Sequence, residues 1–304
     1  MSTQALTEPV YPPLVMPDSV ERETVTIWSK GVALDADLYR PRAAPTSTPG
    51  VVLCHGWGGS KLTCERYAAL FAEAGMIALS FTQATWFGSG PQLRMRAQQP
   101  VSDAPAEGSP EVHRVRDVVD PIDWLHNFRA AVDYLEGEPG VDRERIGAWG
   151  TSFGGGVAMH SAANDRRIRA LSVQVAYVAP LAGPQLAHAN QRAIDSARGT
   201  YDPIAKGFDV MPGLAGFTDF ARWTQYDVLG QLDRLSVPTV MLDAGKEELF
   251  SIADHCGRAY EILKAKPGQI ARYEVIPGID HYGIYFDGYA RSSQVAVDWF
   301  RDHL

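Results

Sequence analysis

The chain has 304 residues, 45% hydrophobic and 21% charged, and its 28 Lys and Arg against 36 Asp and Glu give a net charge of −8. This is an ordinary globular composition, in a chain long enough to bury a sizeable core without metals or disulfides. The acidic balance and the absence of any basic run argue against nucleic acid or an anionic membrane as partner, because clustered Lys and Arg bind both.

The cysteines and the N-terminal residues give information about the cellular compartment in which the protein is expected to reside. Cys54, Cys64 and Cys256 form neither a disulfide framework nor a paired metal-binding motif. The first 20 residues contain four prolines but no basic flank followed by an apolar run, so they do not resemble a signal peptide. No apolar stretch approaches the ~18 residues of a membrane span. We therefore expect a cytoplasmic protein.

Residues 1–22 are proline-rich and aperiodic, and we interpret them as an N-terminal arm that is a candidate contact for a homodimer. Residues 23–304 are predicted to form one domain. Its first elements are two alternating segments, 24–28 and 32–39, on either side of the turn signal Lys30-Gly31. They predict an antiparallel hairpin at the edge of a sheet.

Strand and helix patterns then alternate along the chain. Helical patterns occupy residues 67–72 and 124–135. Compact apolar runs, typical of strands buried on both faces, occupy residues 51–54, 77–81, 146–149 and 237–244. The alternation predicts an α/β protein with a mainly parallel central sheet and helices on both faces.

Two long segments interrupt the alternation. Residues 84–119 are rich in Pro, Ser, Gly and charge, and residues 179–235 combine Gly and Pro with a helical piece at 184–197. Long excursions from a compact sheet are often functional. We predict that they line a substrate pocket, with 179–235 as a small helical cap inserted into the single domain.

The most informative motif is G-x-S-x-G, formed by residues 150–154. It follows the predicted strand 146–149 and precedes a small-residue segment, the strand–turn–helix setting of a nucleophile elbow. Glycines beside Ser152 leave room for a tight turn, and the following helix N-terminus favours developing negative charge. A glycine-rich helix start with an incidental serine is the alternative, and the setting favours the nucleophile.

A second glycine-rich turn, residues 55–59, directly follows the strand 51–54. Such a turn can aim a backbone N–H at the point served by the N–H of Phe153, which gives two donors for an oxyanion. We assign these donors to Trp57 and Phe153. An ordinary βα turn is the alternative. We interpret Cys54 as a core residue rather than a nucleophile, because neighbours in a strand point to opposite faces.

A serine nucleophile needs a base and an orienting acid later in the chain. Among eight histidines, His281 is the best candidate, because it lies in a turn after a strand and before the last helix. Asp243, Glu247 and Glu248 compete for the acid, in a segment that reads as a strand, a turn and a helix start. Adjacent side chains diverge, so we expect only one glutamate to accept a hydrogen bond from the imidazole N–H, and the other to be solvated.

From about residue 24 to the C-terminus, the sequence resembles the α/β-hydrolase superfamily, and within it the bacterial branch related to dienelactone hydrolases, acetyl-xylan esterases and X-prolyl dipeptidyl-peptidase-type esterases. The residues that carry the resemblance are 54–61, 147–156, 165–170 and 277–282. Alignment with the pattern of the family favours Glu247 as the acid, and a register counted from Gly245 gives Glu248. A dienelactone hydrolase proper would carry Cys at position 152.

The resemblance implies a serine esterase with an acyl-enzyme intermediate and a small ester-like substrate, without metal or organic cofactor. Lactonase, amidase or peptidase, thioesterase and acyltransferase activities would use the same triad, and a non-catalytic binding protein is the alternative from another class. Core packing is an equal alternative for the aromatic side chains of the cap. The residues predicted to contact substrate are Trp86, Phe217, Phe220, Trp223 and Tyr282.

Overall fold

The structure is a computed structural model that describes residues 11–43, 45–95, 109, 111–200, 208–211 and 213–304. Within these residues, eight strands form the central sheet: β1 (Val20–Ser29), β2 (Val32–Pro41), β3 (Thr48–Cys54), β4 (Ile77–Phe81), β8 (Val141–Thr151), β9 (Ile168–Gln174), β11 (Thr239–Ala244) and β12 (Ala271–Ile276). Four short strands of the described ranges lie outside it: β5 (Gln92–Met95), β6 (Val112–Val115), β7 (Val118–Val119) and β10 (Phe217–Thr218).

The strand order in the central sheet is β1-β2-β4-β3-β8-β9-β11-β12. The β1–β2 and β2–β4 pairs are antiparallel, and the other neighbours are parallel. The hairpin turn is at Lys30 and Gly31, whose φ angles of 49° and 80° match the right-handed twist of the flanking strands. The predicted mainly parallel sheet with an N-terminal antiparallel hairpin is confirmed.

Helices cover both faces of the sheet, as predicted. One face carries α1 (Lys61–Glu73) and α7 (Tyr289–His303), and the other carries α2 (Pro121–Gly137), α3 (Phe153–Asn164) and α6 (Cys256–Lys264). Successive side chains of a strand alternate between the two apolar cores, so Val51 and Leu53 belong to the α1/α7 core and Val52 to the other. The same short buried strands therefore contribute side chains to both apolar cores.

The predicted cap contains α4 (Gly183–Arg198), β10, α5 (Phe220–Trp223) and a 3-10 helix at Leu229–Arg234. Within α4 only Ala189 is buried, and this helix packs on α5. Residues 201–207 and 212 of the predicted cap lie outside the described residues. In the other excursion, β5 pairs with β6, and β7 pairs with β10 of the cap. The single domain with a cap remains a prediction.

Of the predicted arm, residues 1–10 lie outside the described residues, and β1 already begins at Val20. The intervening segment runs along the α1/α7 side, where Tyr11, Leu14 and Met16 pack against the core. Among the described helices, none has both the length and the apolar character needed to cross a bilayer.

Candidate active site

Ser152 stands on the sharp turn between β8 and α3. Its backbone has φ 54° and ψ −128°, a conformation that non-glycine residues rarely adopt. A Cβ at Gly154 would lie 2.1 Å from the carbonyl oxygen of His55, and one at Gly150 would lie 2.4 Å from that of Gly154. The glycines of the motif are therefore required by close backbone packing, and the turn holds the serine side chain away from the strand and helix.

The base candidate, His281, lies after β12 and directly before a 3-10 helix at Tyr282–Tyr285. Its Nε2 is 3.1 Å from Ser152 Oγ, and its Nδ1 is 2.7 Å from Glu247 Oε2. The side chains of His281 and Glu247 are each only 2% exposed. The structure thus brings Ser152, His281 and Glu247 into one hydrogen-bonded chain, in the order serine, histidine, glutamate.

Both glutamates contact His281, through different atoms. Glu248 Oε2 accepts a hydrogen bond of 2.9 Å from the backbone N–H of His281, while Glu247 binds the ring. Of the two glutamates, Glu247 contacts the imidazole ring, as expected for one of them, whereas the exposed Glu248 contacts the backbone N–H of the same residue. The expected helix start is also absent here: residues 245–255 form a loop, and α6 begins at Cys256. A loop lets adjacent side chains turn towards one residue.

Asp243, the third candidate for the acid, lies within β11 and has another partner. Its Oδ2 accepts a hydrogen bond of 2.8 Å from the hydroxyl of Tyr273. Burial raises the pKa of the Asp243 carboxyl to about 7. A carboxyl held in this way favours its neutral form and is a poor stabiliser of an imidazolium.

The glycine-rich turn after β3 passes against the nucleophile turn, since a Cβ at Gly56 would lie 2.8 Å from Ser152 Cβ. The buried ring of His55 fixes this turn through two hydrogen bonds. Its Nδ1 donates to Gly56 O at 2.7 Å, and its Nε2 accepts from the backbone N–H of Gln83 at 3.0 Å. Burial lowers the pKa of His55 to about 4, so the ring is neutral at pH 7. Sequence reasoning had given His55 no role.

Phe153 is the first residue of α3, and no side chain of the described part of the chain caps that end of the helix. Its N–H is one of the orphan donors of a helix N-terminus. The rings of Trp57 and Phe153 lie 5.9 Å apart, edge to face. The two predicted oxyanion donors are therefore on neighbouring segments beside Ser152. Cys54, the alternative nucleophile, is buried, and its burial raises the thiol pKa to about 12.

A narrow cleft of about 30 Å³ opens at Ser152. Its lining consists of Tyr11, Gly56, Trp57, Gly59, Thr63, Ser152, Leu214, Leu249, His281, Tyr282 and Tyr285. Tyr282 is the one predicted substrate contact among these described lining residues. Tyr11 was missed, because nothing in a proline-rich arm signals where it docks. Larger cavities occur elsewhere, such as one of about 620 Å³ between the β1–β2 hairpin and Arg222, but neither Ser152 nor His281 lines it.

The other predicted substrate contacts lie outside this lining. Trp86 is buried, with its indole N–H donating to Val118 O at 3.2 Å, and Phe217 is 42% exposed on β10. Phe220 stacks on Trp223 at 5.7 Å, and Trp223 lies 5.8 Å from Trp57 and 5.4 Å from Phe153. The structure therefore places the ring of Trp223 against the rings of Trp57 and Phe153, the two residues whose backbone N–H groups are predicted to bind the oxyanion.

The described residues hold no cluster of three or more His, Cys, Asp or Glu side chains arranged to bind a metal ion. The titratable groups of the site are instead paired in hydrogen bonds with one another, as described for His281 and its partners. This arrangement can move a proton between a serine and a histidine.

The chain is similar to known proteins in sequence and in fold. The model of the Dienelactone hydrolase family matches residues 34–196. The quorum-quenching protein AidA of Acinetobacter baumannii (strain MDR-ZJ06) is 32% identical over 147 residues, 48% of this chain and 41% of AidA. The chain spans less than half the length of the curated relatives it matches.

Two solved structures show the likeness in fold. The crystal structure of the hypothetical protein PA2218 from Pseudomonas aeruginosa gives a TM-score of 0.71 at 21% identity, over 100% of both chains. The acetyl xylan esterase from Paenibacillus sp. R4 gives 0.59 at 19% identity, over 94% of this chain and 85% of the esterase. With the family model matching more than half of its length, the chain has the α/β-hydrolase fold and belongs to the dienelactone hydrolase family.

Proposed function

We propose that the protein is a serine hydrolase that cleaves a carboxylic ester through an acyl-enzyme intermediate. The observation that carries the proposal is the hydrogen-bonded chain from Glu247 through His281 to Ser152, with the serine on a strained turn. A serine hydroxyl is a weak nucleophile until a base takes its proton. His281 Nε2 is within hydrogen-bond distance of that hydroxyl.

In the first half-reaction, Ser152 Oγ bonds to the ester carbonyl carbon, and its proton passes to His281 Nε2. The N–H groups of Trp57 and Phe153 are the proposed donors to the resulting oxyanion. The bond from this carbon to the alcohol oxygen then breaks, and the proton on His281 goes to the leaving alcohol. The products of this step are the free alcohol and an acyl group on Ser152.

In the second half-reaction, His281 takes a proton from water, and the oxygen of that water bonds to the acyl carbon. Collapse of the second tetrahedral intermediate breaks the bond to Ser152 Oγ, releases the carboxylic acid and returns the proton to the serine. Throughout, Glu247 holds Nδ1 of His281 protonated and stabilises the imidazolium. Glu248 holds the backbone of the same residue.

The test is intact-mass measurement after incubation with a fluorophosphonate probe, followed by hydrolysis assays with p-nitrophenyl acetate. We expect one probe mass on the parent and none on Ser152→Ala. Ser196→Ala, a substitution of an exposed serine on α4, is the matched control and should label like the parent. We also expect Ser152→Ala to lose at least about 10⁴-fold in kcat.

Absence of the adduct from folded parent protein would contradict the nucleophile assignment and favour a non-catalytic binding protein. Labelling of Ser152 without ester hydrolysis would instead indicate that Ser152 is the nucleophile and that the substrate is not a carboxylic ester. A panel of lactones, amides, thioesters and alternative acyl acceptors would then separate lactonase, amidase, thioesterase and acyltransferase activities, which the same three residues can support.

A further inference from the structure

The N-terminal segment contributes a side chain to the cleft at Ser152. Tyr11 lines this cleft together with Ser152 and His281, although it precedes the first strand of the sheet. Its ring packs edge to face on Tyr285, with centroids 4.9 Å apart and an interplanar angle of 73°. Tyr285 is itself anchored, because its hydroxyl is 2.6 Å from Thr151 Oγ1. Tyr11 thus rests on a rigid part of the site.

The segment that carries Tyr11 is fixed along its length. Leu14 and Met16 pack against the α1/α7 core, and the Arg42 side chain donates to the carbonyl of Asp18 at 3.0 Å. The backbone N–H of Val20 donates to Pro17 O at 3.0 Å, just where the sheet begins. Prolines at positions 12, 13 and 17 restrict the backbone further. These contacts hold the tyrosine ring over the cleft.

The space that remains beside Ser152 is small. The cleft measures about 30 Å³, and a single water molecule needs on the order of 10–15 Å³. The alcohol departs in the first half-reaction, whereas the acyl group stays bonded to Ser152 Oγ until water attacks. The acyl group is therefore the part of the substrate that stays beside Ser152, against the lining of this cleft, through both half-reactions.

We propose that Tyr11 is a specificity-determining residue that limits the acyl group of the substrate to about the size of an acetyl group. This proposal rests on the function proposed above. Among the aromatic walls of the cleft, Tyr285 is buried and hydrogen-bonded, whereas Tyr11 is only half-buried on a peripheral segment. Truncation of Tyr11 consequently enlarges the cleft without removing a fully buried core residue.

The experiment measures kcat/KM for p-nitrophenyl acetate, butanoate and hexanoate with the parent, Tyr11→Ala and two controls. Tyr11→Phe keeps the ring, and Val15→Ala changes a side chain of the same segment that is 85% exposed. The parent should lose at least about tenfold between acetate and hexanoate, because added methylene groups collide with the walls of a cleft this small. Tyr11→Ala should raise the hexanoate-to-acetate ratio at least about tenfold, and both controls should keep the parental ratio.

A second series holds the acyl group constant, as methyl, butyl and hexyl acetate. Its ratios should be the same in the parent and in Tyr11→Ala. Tyr11→Leu, which removes less volume, should give an intermediate acyl ratio and serves if Tyr11→Ala fails to fold. Equal acyl ratios in the parent and the truncated variants would overturn the proposal, as would a parental preference for hexanoate or equal changes in both series.

Failure of the proposal can be told from failure of the proposed function by fluorophosphonate labelling of the same proteins. Labelling of Ser152 with unchanged acyl ratios overturns the role of Tyr11 and leaves the serine hydrolase intact. Absence of labelling and of hydrolysis in every variant overturns both.

Discussion

The buried hydroxyl groups of Thr151 and Tyr285 share a hydrogen bond of 2.6 Å. Thr151 directly precedes Ser152, and Tyr285 ends the short 3-10 helix that follows His281. The bond therefore joins the turn that carries the proposed nucleophile to the segment that carries the proposed base. Gln174, at the end of the neighbouring β9, adds a donor to Thr151 Oγ1 at 3.3 Å.

The substitution Tyr285→Phe tests this link. It removes the hydroxyl but keeps the ring against Tyr11, and loss of one partner of a buried hydrogen bond costs about 1–3 kcal/mol of stability. We expect that loss in the free energy of unfolding, together with a fall in kcat of up to about tenfold, because the serine and histidine are less firmly aligned. Urea unfolding and steady-state kinetics measure the two effects.

Tyr289→Phe is the control for this link, since the hydroxyl of the half-buried Tyr289 donates to the carbonyl of Arg66 on α1 at 3.1 Å. It should lose stability with kcat unchanged. Equal kcat values in the two variants would show that the Thr151–Tyr285 bond has no positioning role.

The two glutamates are expected to differ sharply in kinetic effect. Glu247→Gln keeps the shape but removes the charge that stabilises the imidazolium, and kcat should fall by about 10³–10⁴-fold. Glu248→Gln retains an oxygen that can accept from the backbone N–H of His281, so we expect a fall of no more than about tenfold. Comparison of kcat for the two isosteric variants on one ester measures this. A larger loss in Glu248→Gln would assign the acid to that residue instead.

Glycines in the motif are expected to be intolerant of a methyl group. Gly154→Ala would place a Cβ 2.1 Å from the carbonyl oxygen of His55, so the two turns beside Ser152 must separate. We expect loss of activity and a destabilisation of more than about 3 kcal/mol, measured by thermal and urea unfolding. Gly137→Ala, at the end of α2 with nothing within 4 Å of the added Cβ, should be neutral or stabilising by up to about 1 kcal/mol. Equal effects of the two substitutions would contradict the packing argument.

Asp243 should make stability depend on pH in a defined direction. Burial raises its pKa in the folded protein to about 7, from an ordinary value of 3.8. Its contribution to stability is fully present below pH 4 and is lost as pH rises through about 7, because the unfolded state ionises first. A difference of about three pKa units corresponds to at most on the order of 4 kcal/mol.

The measurement is the free energy of unfolding of the parent and of Asp243→Asn from pH 4 to pH 8. An asparagine cannot ionise, so the variant should gain stability relative to the parent as pH rises. Asp302→Asn, which removes an exposed carboxylate near the C-terminus, should follow the parental curve. A constant difference between Asp243→Asn and the parent across this range would show that the buried carboxyl does not titrate there.

Local patterns predicted the elements whose physics is local. The hairpin at Lys30-Gly31 and the strand–turn–helix around Ser152 follow from alternation, glycine placement and buried apolar runs, and the structure has both. The proximity of His281 to Ser152 was predictable from chain order, because turns at the carboxyl ends of parallel strands meet at one edge of the sheet.

Contacts between distant segments were not predictable from such patterns. Whether Glu248 points to solvent or to the N–H of His281 depends on the path of the loop at 245–255, which has no periodicity to reveal it. Tyr11 docks beside the serine through packing on Tyr285, 274 positions along the chain. For the aromatic residues of the cap, the sequence pattern was equally compatible with a pocket wall and with core packing. In the structure, Phe220 and Trp223 stack on each other.

The backbone of Ser152, at φ 54° and ψ −128°, has a thermodynamic consequence for the whole molecule. Glycine reaches that conformation without steric penalty, whereas a residue with a side chain stores on the order of 1–3 kcal/mol of strain there. Ser152→Gly should accordingly yield an inactive protein that is harder to unfold than the parent. At this one position, the residue that performs the proposed chemistry and the residue that best satisfies the fold are different amino acids.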